Sequence, residues 1–234
     1  MLNSDAERMI GTTEFLDCDT DIVQDYTKQI VGAERDPVGQ AIQLFYAVRD
    51  RIRYDVYGID MSRGGMKASS IIKNRVGFCI HKSIVFAAAA RCVGIPSQLA
   101  FADVRNHIST AALREILGGE VFHYHSYAEI YLNERWIKVT PAFNLKLCRL
   151  FGLDPLDFDG FTDATLQLYD KQGKRYMEFV RHHGTFADFP YEQCMAALRR
   201  HHPRLFADGR QTIRGDLTNE QCVEAIKRRG DKTI

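Results

Sequence analysis

The chain has 234 residues, 45% of them hydrophobic and 26% charged, with a formal net charge of +1. That length leaves room for one domain with a substantial core, or a core plus a helical extension. The near-neutral charge removes the electrostatic case for a nucleic-acid or acidic-membrane partner. Residues 1–8 show no basic stretch followed by an apolar one, so no secretory signal is expected, and no apolar run reaches the length of a membrane span. The six cysteines, at 18, 79, 92, 148, 194 and 222, lack CxxC pairs and zinc-finger spacing. Free thiols in a reducing cytoplasm are the expectation.

In chain order, residues 1–35 read as an N-terminal arm with a short helix over Asp21–Val31. Asp36-Pro37 opens a second helix, with Ile42, Phe45, Tyr46, Val48, Arg49 and Ile52 at helical spacing, ending near Arg53-Tyr54-Asp55. A loop with Gly58 and Gly64-Gly65, a short helix over 69–73 and a turn lead into Gly77-Phe78-Cys79. The apolar, alanine-rich stretch 80–93 reads as a buried helix stopped by Gly94-Ile95-Pro96. Strands are expected over 97–104, 123–132 and 135–140, the last two joined by the two-residue connection Asn133-Glu134. Between them, 105–120 reads as a loop with a short helix, and 151–173, rich in Asp, Gly and Pro, as an irregular wrap. Helices over Tyr191–His201 and 218–228 follow, the second with a capping box of Thr218 and Gln221. The basic clusters Arg199-Arg200-His201-His202 and Lys227-Arg228-Arg229 suit helix C-termini, and His182-His183 and His201-His202 are expected at the surface. Helices followed by antiparallel strands make an α+β fold.

Cys79 stands in the first turn of the buried helix, where the helix dipole and unpaired N–H groups favour thiolate. It is therefore expected to be the most acidic thiol, while Cys92, at the other end of that helix, reads as a small buried hydrophobe. An imidazole facing the thiol from the strand of 123–132 completes the pair that acyl-transfer chemistry needs. His123 and His125 share one strand face with Tyr127 and Glu129, and alternation alone does not choose between them. The backbone N–H of Cys79 is the natural oxyanion donor, with Asn74 or Tyr54 as candidates for a second. Asp103, Asn106 and His107, where the strand after the helix ends, are either substrate-lining or part of a solvated loop. His107, His123 and His125 lack a carboxylate or cysteine at supporting spacing, and no metal is assigned.

Gly77-Phe78-Cys79, the helix, Gly94-Ile95-Pro96 and a strand form one block. His125-Ser126-Tyr127-Ala128-Glu129-Ile130-Tyr131 and Trp136-Ile137-Lys138-Val139-Thr140-Pro141 form another. In this order and spacing, over residues 41–144, they resemble the catalytic core of the transglutaminase-like cysteine superfamily, papain-like in architecture. The resemblance implies a nucleophile helix packed on an antiparallel sheet. It divides the chain into an arm (1–35), a transglutaminase-like catalytic core (36–165) and a helical C-terminal extension (166–234). It also selects His125 as the base.

The third catalytic position falls on Thr140, where that family usually carries Asp. A threonine hydroxyl accepts the imidazole hydrogen bond and fixes the tautomer, yet supplies no negative charge for an imidazolium. Asn144 is the other candidate, since papain-like enzymes use Asn there. A cysteine nucleophile tolerates a weak third member better than a serine does. The implied activity is acyl transfer at an amide or thioester carbonyl of a peptide, protein or small molecule, through an acyl-thioester. Hydrolysis as a peptidase, amidase or deamidase is slightly favoured over amide formation. The alternative is a non-catalytic binding module that keeps the fold. The family's calcium sites lie outside the matched core, so no cofactor is assigned.

Overall fold

The computed structural model describes residues 4–107, 114–115, 117–169, 172–173 and 175–206. The helix over 218–228, its capping box, Cys222 and the Lys227-Arg228-Arg229 cluster lie outside the described residues. Helices α1 (Ser4–Glu7), α2 (Asp21–Val31) and α3 (Pro37–Arg51) precede strand β1 (Arg53–Tyr54). Helix α4 (Ala68–Asn74) and strand β2 (Val76–Gly77) lead into α5 (Cys79–Cys92). Strands β3 (Ser97–Asn106), β4 (Val121–Leu132) and β5 (Arg135–Val139) follow, then α6 (Leu145–Phe151), β6 (Met177–Phe186), α7 (Tyr191–His201) and a 3₁₀ turn over Pro203–Phe206.

Local chemistry sets the helix starts. The Asp36 carboxylate accepts the Gly39 N–H at 3.0 Å, and Pro37 sits where a helix leaves its N–H unused. The start of α4 is capped from a distance, as the Ser69 N–H donates to Asp17 at 3.0 Å. That bond ties the N-terminal arm to the core, and Phe15, Leu16, Val23 and Val31 of the arm are buried in the main apolar cluster.

The sheet is antiparallel with strand order β5-β4-β3-β6. Asn133 and Glu134 both have positive φ, 50° and 62°, the geometry of a two-residue hairpin turn whose twist matches its strands. The C-terminal segment, expected to be helical, supplies α7 and also the edge strand β6, paired with β3 along its whole length. Its sequence hid that strand, because an edge strand with one solvated face (Arg181 and His182 are exposed) shows no clean apolar alternation.

Helix α5 lies between α2, α3 and α4 on one side and β3 and β4 on the other, and every residue from 79 to 91 is buried. The run Ala87-Ala88-Ala89-Ala90 lets neighbouring backbones approach closely, which explains why the helix has no polar stripe. Its few polar side chains are staples. Lys82, fully buried, donates to the carbonyls of Arg49 at 2.7 Å and Ile52 at 2.8 Å, where α3 ends. Arg91 donates to the carbonyls of Gly11, Ser97 and Ala187, joining the arm, the start of β3 and the segment after β6. No helix among the described residues is long and apolar enough to cross a membrane.

Lys82→Met keeps the stem volume but removes the donors to two buried carbonyls. We expect a loss of about 1–3 kcal/mol in urea unfolding with an unchanged m-value. An unshifted midpoint would show that the α3 terminus does not depend on the Lys82 hydrogen bonds.

Candidate active site

Four local arrangements bring Cys79 to the sheet. Strands β1 and β2 pair in parallel, with Arg53 opposite Val76 and Tyr54 opposite Gly77, so Tyr54 arrives beside the turn into α5. Gly77 is required there, because a Cβ would overlap the Cβ of His81 one turn along. Phe78 is the N-cap residue, which leaves Cys79 at the first helical position. The Ser83 hydroxyl, four residues on and on the same helical face, donates to the Ser126 carbonyl at 3.1 Å. The Cys79 thiol itself lies against the backbone of Ser126, the residue after His125.

His125 and Thr140 both line a cavity of about 60 Å³ whose walls are mostly apolar. His125 is 8% exposed and Thr140 3%, and neither His125 Nε2 nor Thr140 Oγ1 has a hydrogen-bond partner. Tyr54, Asn106, Gln167 and Tyr176 add neutral polar groups to the walls. The Tyr54 phenol is close enough to Cys79 to feel its charge. Val56, Leu117 and Phe122 also wall a smaller apolar cavity closed by Leu205 and Phe206 of the 3₁₀ turn.

Burial dominates the electrostatics. It pushes the Cys79 thiol up to about 12, against the opposing pull of the backbone at Ser126, Ile80 and Cys79 itself. The expectation of an acidic thiol at the helix mouth is thereby overturned for the resting protein, because desolvation of a nearly closed site outweighs the helix terminus. Burial alone lowers His125 to about 4. The pair therefore rests as neutral thiol and neutral imidazole. Cys148 is raised to about 11 and Cys194 higher still, both by burial, and Cys18 and Cys92, raised for the same reason, are partly exposed.

The other sequence candidates separate cleanly. Asn144 spends its amide on backbone, accepting the Tyr54 N–H at 2.5 Å and donating to the carbonyls of Arg49 and Ile52, so it braces β1 rather than the imidazole. Asn74 is exposed at the end of α4, outside the cavity. Of the polar group at the end of β3, only Asn106 lines the cavity. His107 pairs with Glu178 at 3.2 Å, while Asp103 accepts from His183 at 2.6 Å and pairs with His123 at 3.1 Å. His123 also stacks on His201 at 3.9 Å. Tyr176 and Gln167 belong to a segment with no motif, and nothing in the sequence marked them.

Of the four histidines expected at the surface, His182 and His201 are exposed, whereas His183 and His202 are tied in. His202 is fully buried, with Nε2 accepting the His123 N–H at 2.9 Å and Nδ1 donating to the Leu117 carbonyl at 2.7 Å. His183 stacks on Tyr124 at 4.2 Å. Tyr124 has φ 59° beside the register shift between β3 and β4, so a bulge turns the strand just before His125. Among the described residues, no group of three or more His, Cys, Asp or Glu side chains is placed to hold a metal ion.

A thiol on a helix tip against a strand that carries a buried imidazole defines a cysteine-dependent hydrolase or transferase fold of the papain-like kind. The sequence profile of the transglutaminase-like superfamily matches residues 24–141, 118 of the 234 residues, and the chain belongs to that superfamily. A search of curated proteins finds no match. Among solved structures, a candidate cysteine protease from Cytophaga hutchinsonii is similar at 12% identity and TM-score 0.48, over 79% of this chain and 55% of that one. A candidate protease from Parabacteroides distasonis ATCC 8503 is similar at 8% identity and TM-score 0.36, over 58% of this chain and 25% of that one. The chain thus spans about half the length of the first and a quarter of the second.

Burial holds His81, His125 and His202 each near 4, below the ordinary value of 6.5. A histidine kept neutral by the fold contributes stability that is complete above 6.5 and is lost as the pH falls through its folded value. We expect unfolding free energy to drop between pH 6.5 and 4, by about 1.4 kcal/mol per pH unit for each proton taken up. Replacing His202 by Gln should shallow that limb. A flat melting temperature across this window would mean that these rings are already charged in the native state.

Proposed function

We propose that the protein is a cysteine acyl-transfer enzyme in which Cys79 is the nucleophile and His125 the proton shuttle. The supporting observation is the docking of the α5 tip on β4, which puts the Cys79 thiol against the backbone of Ser126, the sequence neighbour of His125, while His125 and Thr140 line a cavity. The thiol proton passes to His125, and the sulfur attacks the carbonyl carbon of an amide or thioester. The oxyanion falls to the Cys79 backbone N–H, with the Tyr54 hydroxyl as second donor. The leaving group departs with the proton from His125, and an acyl-thioester remains for water or an amine to resolve. Water is the default acceptor, so hydrolysis is the favoured outcome. Thr140 occupies the third position of the family pattern, but its hydroxyl has no hydrogen-bond partner in the resting site and so does not hold the imidazole as a triad member would. The substrate is a peptide, protein or small molecule bearing an amide or thioester, and the free thiols suit a reducing cytoplasm.

One observation favours a second reading, a binding module without chemistry: the pair rests uncharged and Thr140 brings no charge to it. Mass spectrometry after incubation with small-acid and peptide thioesters separates the two. An acyl adduct on Cys79 is expected in the wild type and absent in Cys79→Ala, which should stay within about 1 kcal/mol of wild-type stability because little volume is lost. His125→Gln should slow acylation about 10²–10⁴-fold. No adduct, or one on another cysteine, would leave only the binding module.

A further inference from the structure

His125 Nε2 and Thr140 Oγ1 are both buried and both without a partner, and their residues share one cavity. Buried polar atoms in a folded protein are nearly always hydrogen-bonded, so two orphans at one place mark a site for something the chain does not provide. The walls say what kind of group. None of the described lining residues is Asp, Glu, Lys or Arg, while Thr140, Tyr54 and Gln167 carry hydroxyl or amide hydrogens to donate. A volume of about 60 Å³ admits a group of a few heavy atoms. The ring nitrogen that needs a partner needs an acceptor, and the ring becomes cationic when the thiol ionises.

We propose that this cavity binds a carboxylate group of the substrate, which accepts hydrogen bonds from His125 Nε2–H and the Thr140 hydroxyl and activates Cys79. This rests on the acyl-transfer reading for the identity of the carrier, and on the cavity alone for the site. The step is a proton transfer. The Cys79 S–H proton moves to His125 Nδ1, Nε2 keeps its hydrogen, and the imidazolium donates that hydrogen to the carboxylate. A thiol and a neutral imidazole become a thiolate and an imidazolium, with no change in net charge. The mostly apolar walls that hold the imidazole neutral make the added negative charge effective, since an opposite charge at hydrogen-bond distance acts strongly in low-dielectric surroundings. The protein thus stays unreactive until a suitable substrate supplies the missing charge. In this scheme Thr140 is a positioning residue.

The probe is sodium formate, titrated at constant ionic strength against chloride, with ring NMR of labelled histidine and the His125 signal assigned from His125→Gln. Formate should raise the His125 midpoint from about 4 to about 5 or above, saturably. Thr140→Val should weaken formate binding about 10-fold. Thr140→Asp should raise the midpoint without formate and abolish its effect; should that variant fail to fold, the wild type and Thr140→Val decide. No midpoint change with formate would overturn the site, whatever the enzyme does with thioesters. In the second arm, a succinyl thioester should acylate Cys79 at least about 10-fold faster than a butyryl thioester, one decade for each unit by which the carboxylate raises the imidazole's proton affinity. Equal rates would overturn the substrate as carrier. If neither thioester acylates Cys79 while formate still moves His125, acyl transfer fails and the carboxylate site stands by itself.

Discussion

Helix α5 is enclosed on every side, and the rest of the molecule answers to that enclosure. Three helices and two strands cover its surface, so its tip ends inside the protein rather than on it. The same packing that fixes Cys79 against β4 strips water from the thiol and from His125. Both groups lose their charged forms, one by a raised value and one by a lowered one. Position at a helix N-terminus would favour thiolate, but that effect is worth about 1 kcal/mol near the surface, whereas excluding water costs an isolated ion several kcal/mol. Geometry and charge are therefore set by one constraint, and a partner for the imidazole is what remains to be supplied.

The enclosure is held by polar staples at its ends. Lys82 and Asn144 both reach the carbonyls of Arg49 and Ile52, and Asn144 also fixes the Tyr54 N–H, so the end of α3, the start of β1 and the loop before α6 share one node. That node carries Tyr54 to the Cys79 side of the cavity. On the opposite side, the bulge at Tyr124 and the fixed tautomer of His202 tie β4 to Leu117 and to the C-terminal turn. Leu117, Leu205 and Phe206 then roof the space beside Phe78 and Phe122. The C-terminal segment is a wall of the site region as well as an edge of the sheet.

The elements legible in the sequence were those with a short-range cause. Asp36-Pro37 and the Gly94-Ile95-Pro96 stop bound helices by local backbone chemistry, and Asn133-Glu134 makes a hairpin because two residues can only turn one way between twisted strands. The apolar run of α5 had to be buried, and the ordered motifs around Cys79 and His125 pointed to the transglutaminase-like superfamily. Strand β6 was illegible because its partner β3 lies some 80 residues away and its exposed face carries no pattern.

The sequence by itself thus determined which residues stand at the helix tip and on the strand, since dipole, spacing and alternation are properties of neighbours. It gave no account of how dry the site is, of where the Asn144 amide is spent, or of how His202 is locked. Those depend on which distant segments close over which atoms. Only the tertiary structure decided the resting charge of Cys79 and His125, because desolvation is a property of the whole packing and not of any run of residues.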